Sequence, residues 1–314
     1  MINNPMAMAD QIKILCNTSS YNFADYPDRL QLIKNPHRRR LSEEELMHLV
    51  EQHNPVGILA GVEPITEKIM MAATQLKVIS RCGIDTETID LKTAKKLGIE
   101  VLRTSLAPDV PASELTLAVI LALVRKLPVL DNLVRTGNWE RKVTGLLKGK
   151  MIGIIGCGIL GTRVSRMLYA FECGLIGYDP YVKMHDYCEM VKFDSLIKNS
   201  DIITLHMPLR SENYHIIGTR EIENMKQGAI VVNTSRPGLV DEEALVVGLR
   251  SGKLGGVALD VFEEEPYSGP LLEFKENTIL TPHIGSHAGS YRFDIEKEAM
   301  INLLNALKKQ GIEV

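Results

Sequence analysis

The sequence predicts an α/β protein with two doubly wound parallel sheets, and three observations carry that prediction. Short apolar runs alternate with periodic helical segments through both halves of the chain. The second half restarts the alternation with an apolar run and a glycine-rich turn at 151–161. Its runs at 201–206 and 229–233 are continuously apolar, as strands buried on both faces are. The expected division is a flavodoxin-like domain over 1–108 and 287–314, with a Rossmann domain over 109–286 inserted into it.

In chain order, strands are read at 13–17, 56–62, 76–81 and 99–103. Ser42-Glu43-Glu44-Glu45 is a capping box opening a helix to about 52. Further helices are read at 65–75 and from Asp90 to Gly98. His37-Arg38-Arg39-Arg40 is a basic run, read as a solvated loop with a substrate phosphate as the alternative. A helix over 112–127, begun by Pro111 and stopped at Pro128, carries the chain between domains. Trp139, the only tryptophan, is expected to pack at the domain junction. Strands follow at 151–155, 174–178, 201–206, 229–233, 255–261 and 278–281. Helices are read at 162–171, from Asp241 to near Gly252, and at 291–309, the last returning to the first domain.

Composition narrows the function. A net charge of −3 argues against nucleic acid as a main partner. No apolar run approaches the roughly 18 residues of a membrane span, and no secretory signal is read at the N-terminus. The five cysteines (16, 82, 157, 173 and 188) are scattered and form no C-x-x-C, which suits reduced thiols in the cytoplasm. No metal is expected.

The turn at 156–161, Gly156-Cys157-Gly158-Ile159-Leu160-Gly161, is a G-x-G-x-x-G between a strand and a helix. Gly156 allows the turn, Gly158 lets backbone approach a pyrophosphate, and Gly161 lets helix pack on strand. The helix N-terminus then presents N–H groups to the phosphates. Asp179 ends the next strand, 18 residues after Gly161. There it can accept from ribose hydroxyls and repel a 2′-phosphate, favouring NAD over NADP.

Three further strand ends carry polar residues: Arg236, Glu265 and His283. Each alone is an ordinary loop residue. Together, beyond the carboxyl ends of successive strands, they match what hydride transfer to a 2-keto acid needs. Arg236 can hold a carboxylate and polarise the neighbouring carbonyl. His283 can exchange a proton with the carbonyl oxygen, and Glu265 can orient that imidazole.

The chain resembles the D-isomer-specific 2-hydroxyacid dehydrogenase family over nearly its whole length. The matching segments are Arg81-Cys82-Gly83-Ile84, the glycine turn with Asp179, Leu205-His206-Met207-Pro208-Leu209, Asn233-Thr234-Ser235-Arg236, Asp260 to Pro266, and Thr281-Pro282-His283-Ile284-Gly285. The resemblance implies that Arg236, Glu265 and His283 are catalytic. It implies that His206, Pro208, Thr234, Asp260 and Gly285 line the cofactor, and that backbone amides near Cys82, Gly83 and Ile84 bind the substrate carboxylate. It also implies a homodimer and a cleft that closes on substrate. Within the family the chain is most similar to short-form phosphoglycerate dehydrogenases, with 3-phosphoglycerate or a glyoxylate- or hydroxypyruvate-like acid as substrate.

Two departures stand out. Asp85 occupies a position where the family commonly has glycine, and an acid there would oppose an anionic substrate unless turned away. Pro237 follows Arg236 where glycine is usual. Formate dehydrogenase is a rival, but that branch has Gln at the position of Glu265. The alternative from another class is an NAD(H)-sensing, corepressor-like binding protein with little turnover.

Overall fold

The structure is a computed structural model that describes residues 11–19, 21, 26–37 and 39–314. The chain divides into two compact units, Met1–Pro108 with His287–Val314, and Asp109–Ser286.

In the first unit β1 (Ile12–Cys16) is followed by β2 (Leu30–Lys34), α1 (Glu43–His53), β3 (Gly57–Ala60), α2 (Glu67–Ala72), β4 (Val78–Arg81), α3 (Leu91–Leu97) and β5 (Glu100–Arg103). The strands are parallel, in the order β2-β1-β3-β4-β5. This is the flavodoxin-like doubly wound order. The capping box forms: Ser42 Oγ accepts from the Glu45 amide, and the Glu45 carboxylate accepts from the Ser42 amide. Asp90 caps α3 through the Lys92 and Thr93 amides, and Gly98 ends it at φ 70°. β2 has no counterpart in the sequence reading. Of LQLIK only Leu30 and Ile33 are buried, so this edge strand is defined by its pairing with β1 rather than by its own pattern.

In the second unit the elements are α4 (Asp109–Val124), α5 (Leu127–Arg135), β6 (Met151–Ile155), α6 (Ile159–Tyr169), β7 (Gly174–Tyr178), β8 (Glu189–Met190), α7 (Phe193–Asn199), β9 (Ile202–Leu205), α8 (Thr219–Asn224), β10 (Ala229–Asn233), α9 (Glu242–Arg250), β11 (Leu254–Leu259) and β12 (Thr278–Leu280). The parallel order is β12-β11-β10-β9-β6-β7-β8. It reverses between β6 and β9, the point where doubly wound sheets bind dinucleotides. Alternate strand residues enter opposite cores. Ile155, Ile203, Val231 and Val257 face one, and Ile154, Ile202, Val232 and Ala258 the other. Burying each of the larger of these side chains is worth about 1.5–3 kcal/mol. That two-sided burial explains why the runs read as continuously apolar.

The last helix, α10 (Gly289–Lys309), belongs to the first unit. Its Ile295, Ala299, Met300 and Leu303 pack with Ile14, Leu59 and Val78.

Two expectations are corrected. Pro128 does not stop a helix. The chain leaves α4 after Val124, turns through Lys126 at φ 50°, and begins α5 with the proline in its first turn. Proline is tolerated there because the first-turn N–H has no intrahelical partner to lose. Trp139, expected to be packed, is 82% exposed, and the nearby Val143 and Leu146 are exposed too. Among the described residues no helix is long and apolar enough to cross a membrane.

Candidate active site

The glycine turn sits where the strand order reverses. Gly156 has φ 94°, and a Cβ there would lie 2.6 Å from the carbonyl carbon and oxygen of His206. A Cβ on Gly161 would fall 1.9 Å from the Gly156 oxygen, so nothing but glycine closes this turn onto α6. Gly158 differs: it is the N-cap of α6, has no neighbouring heavy atom within 4 Å of a Cβ position, and leaves the helix without a side-chain cap. Open backbone at a helix N-terminus, walled by two close-packed glycines, fits a pyrophosphate. The Asp179 carboxylate accepts from the Cys157 amide at 2.9 Å and from the Tyr181 and Val182 amides at 2.8 and 3.1 Å. It therefore ties the glycine turn to the end of β7.

Beyond β9, His206 is buried, which holds its imidazole down at about 3 and hence neutral. Its Nε2 meets Thr204 Oγ1 at 3.0 Å, while the buried Nδ1 has no hydrogen-bond partner. A buried imidazole nitrogen with an unused bond beside the glycine turn also suits a polar ligand. Thr234 Oγ1 pairs with Thr116 Oγ1 of α4 at 2.7 Å. Ser235 Oγ donates to the Met207 oxygen at 2.9 Å, joining the ends of β9 and β10.

The three polar strand ends are each fixed by backbone-directed bonds. Asn233 receives the Ser235 amide at 3.1 Å and donates to the Arg236 oxygen at 2.8 Å, setting the turn that carries Arg236. Arg236 Nη1 donates to the Ser235 oxygen at 2.9 Å. Asp260 accepts from Thr281 Oγ1, the Ile284 amide and the Gly285 amide, at 2.6, 2.8 and 2.8 Å. Burial pushes the Asp260 carboxyl above its ordinary range. These bonds clamp the 281–285 turn, in which His283 adopts φ 55°. A non-glycine residue held there stores strain of order 1 kcal/mol, tolerated where the surroundings over-determine it. The result is a pair: His283 Nδ1 lies 3.0 and 3.2 Å from the two Glu265 oxygens. The Glu265 side chain is 9% exposed and that of His283 30% exposed. The buried carboxylate orients a ring that still reaches solvent.

In the first unit Cys82, Gly83 and Ile84 follow β4. The Cys82 amide is taken by the Ala60 oxygen at 2.9 Å. Asp85 is paired: Arg81 Nη2 reaches it at 3.3 Å, and Arg81 Nη1 donates to the Cys82 oxygen at 2.7 Å. In the basic run Arg39 donates two hydrogen bonds to the Glu45 carboxylate, at 2.6 and 2.8 Å, while Arg38 lies outside the described residues.

A model of the D-isomer specific 2-hydroxyacid dehydrogenase NAD-binding domain matches residues 117–285. The chain belongs to that family. As a 2-hydroxyacid dehydrogenase family member it is 35% identical over 276 residues to the D-3-phosphoglycerate dehydrogenase of Archaeoglobus fulgidus, covering 85% of this chain and 52% of that protein. It is 38% identical over 252 residues to the hydroxypyruvate reductase of Thermotoga maritima, covering 78% and 82%. The chain spans about half the length of the curated phosphoglycerate dehydrogenases it matches, 45–52%. Among solved structures, the TT0316 protein from Thermus thermophilus superposes with a TM-score of 0.83 at 32% identity, over 96% of this chain and 98% of that one. D-Lactate dehydrogenase from Aquifex aeolicus, complexed with NAD and lactic acid, gives 0.74 at 27% identity, over 95% and 96%.

Sequence reasoning did not find that Asp260 anchors the His283 turn, nor that Thr116 of α4 meets Thr234. Both are single residues brought together over 21 and 118 positions of chain. No local pattern signals such a contact.

Proposed function

We propose that the protein is an NAD-dependent oxidoreductase that passes hydride between NAD(H) and a small D-2-hydroxy acid or 2-keto acid. The observation that carries this reading is the Glu265–His283 pair, 3.0 Å apart at the strand ends of a sheet whose glycine turn fits a dinucleotide. Bound nicotinamide would supply the hydride. Gly156, Gly158, Ile159, Leu160 and Gly161 hold the pyrophosphate, Asp179 the ribose, and His206, Pro208, Thr234, Asp260 and Gly285 line the site. Arg236 binds the substrate carboxylate and polarises its carbonyl. Because Nδ1 of His283 is committed to Glu265, Nε2 carries the proton that passes to or from the substrate oxygen.

The unit over 109–286 is assigned to the cofactor, and the unit over 1–108 with 287–314 to the substrate. There the amides of Gly83 and Ile84 take the substrate carboxylate. The Arg81–Asp85 ion pair supports this, since it cancels the charge that Asp85 would otherwise set against an anion. The substrate class is 3-phosphoglycerate or a related acid of the glyoxylate and hydroxypyruvate kind, in keeping with the relatives' names.

A homodimer is proposed from surface chemistry. α5 buries none of its residues, and Leu127, Val134, Trp139, Val143 and Leu146 are all exposed. Such a run of apolar side chains marks a protein interface. A cytoplasmic location is proposed from the five free cysteines.

The test is NADH oxidation against glyoxylate, hydroxypyruvate, pyruvate, 3-phosphohydroxypyruvate and 2-ketoglutarate. Turnover of one of them is expected. NADH binding without turnover of any would overturn the reading.

A further inference from the structure

We propose that His215 is a positioning residue. It ties the loop carrying Arg236 to the loop carrying Glu265, and through Glu263 it sets the distance between Glu265 and His283. The proposal rests on the function above only for the role of that pair; the geometry stands by itself.

His215 lies in the segment between β9 and α8. Its backbone holds one loop. The His215 amide donates to the Gly238 oxygen at 2.7 Å, two residues past Arg236. The contact continues as Ile217 donates to Leu239 at 3.1 Å and Asp241 donates back to Ile217 at 2.9 Å. A side chain on Gly238 would sit 3.1 Å from the Tyr214 ring, so the two segments are close-packed.

The His215 side chain holds the other loop. Its Nε2 lies 2.7 Å from Glu263 Oε1, and the Tyr214 hydroxyl donates to the same oxygen at 3.2 Å. The Tyr214 ring stacks on the imidazole, 3.9 Å between centroids and 18° from parallel. Glu263 is gripped at its backbone too, where its amide donates to Glu242 Oε1 of α9 at 2.9 Å. Two residues on, Glu265 receives the Phe262 amide at 3.2 Å and reaches His283. The short loop 262–265 thus has one end fixed by His215, Tyr214 and Glu242, and the other pointed at the reacting imidazole.

His215 adopts φ 51°, in the left-handed region. Strain at a non-glycine residue marks a place whose geometry is specified by its neighbours. The groups facing His215 are Glu263, Tyr214 and, at 3.9 Å, Asp241. Glu242 stands beyond them; burial and the charges of Glu263 and Glu265 push its carboxyl up, while the hydrogen bond from the Glu263 amide and the nearby His215 pull it down. His215 is therefore the imidazole that separates this carboxylate cluster into an ordered pair of loops.

The test compares wild type with His215→Gln and Glu263→Gln in the full-length chain. One readout needs no substrate: the proton NMR signal of the His283 Nδ1–H, displaced downfield by its bond to Glu265. In His215→Gln this signal is expected to move upfield or vanish, with kcat reduced about 10- to 100-fold, the scale of a misplaced catalytic group, and NADH affinity within about twofold of wild type. Glu263→Gln is expected to do the same to a smaller degree, and it decides the matter if the first variant does not fold. An unmoved His283 signal overturns the proposal, as does a loss of kcat that merely parallels a loss of NADH binding. Should no keto acid be turned over by wild type, the functional reading fails while the NMR comparison still judges the positioning role.

Discussion

Both sheets are parallel and doubly wound, and both end their strands in charged residues, yet the two sets of ends are finished differently. In the first unit the charges close on one another. Arg81 is buried and pairs with Asp85, and Arg39 is gripped by Glu45. In the second unit Asn233 and Asp260 direct their bonds to backbone amides and a carbonyl, and Glu265 and His283 form a pair that stays in reach of solvent. Charge that is internally cancelled builds a wall. Charge that is held by the backbone remains usable for chemistry. The same strand-end position serves either purpose, and the partner of each charge decides which.

If the second set is the working one, His283→Ala should give the largest effect. The expected loss in kcat is about 10²- to 10⁴-fold, the range of a missing general acid, with the thermal midpoint little changed; a variant with wild-type turnover would erase the contrast. Gly161→Ala should come next. Its Cβ would fall 1.9 Å from the Gly156 oxygen, so the turn must open. NADH binding followed by fluorescence should weaken at least about tenfold, and stability should fall by about 1–3 kcal/mol.

The buried His206 predicts a pH effect in this same unit. Its folded-state value, about 3, lies below the ordinary 6.5. The neutral ring is stable in the fold above pH 6.5, and stability is lost as pH falls from there toward 3, by up to about 1.4 kcal/mol per pH unit. His206→Asn should flatten that part of the curve in urea unfolding. The smallest effect is expected in the first unit. Asp85→Asn should cost about 1–3 kcal/mol of stability by stranding Arg81, with NADH affinity unaltered. A fall in NADH affinity instead would show that the two sets of ends are not separable.

Where side chains alternate between two cores, as along β6, β9 and β10, local pattern and tertiary burial coincide, and the strands are readable. Where burial is one-sided and short, as in β2, they do not. The helix stop read at Pro128 failed for a related reason: proline is equally at home in a first turn, and only the left-handed Lys126 decides between the two. Trp139 was placed by its chemical type, but its surroundings belong to the surface.

The parallel α/β class, the glycine turn and the residue types at the strand ends were all legible in the linear chain, because they follow from periodicity and from constraints local to a few residues. Which charges meet was settled by folding. That Asp85 is cancelled by Arg81, that Asp260 clamps the turn of His283, and that His215 joins two loops all depend on pairings between folded loops. A linear pattern carries no record of those distances.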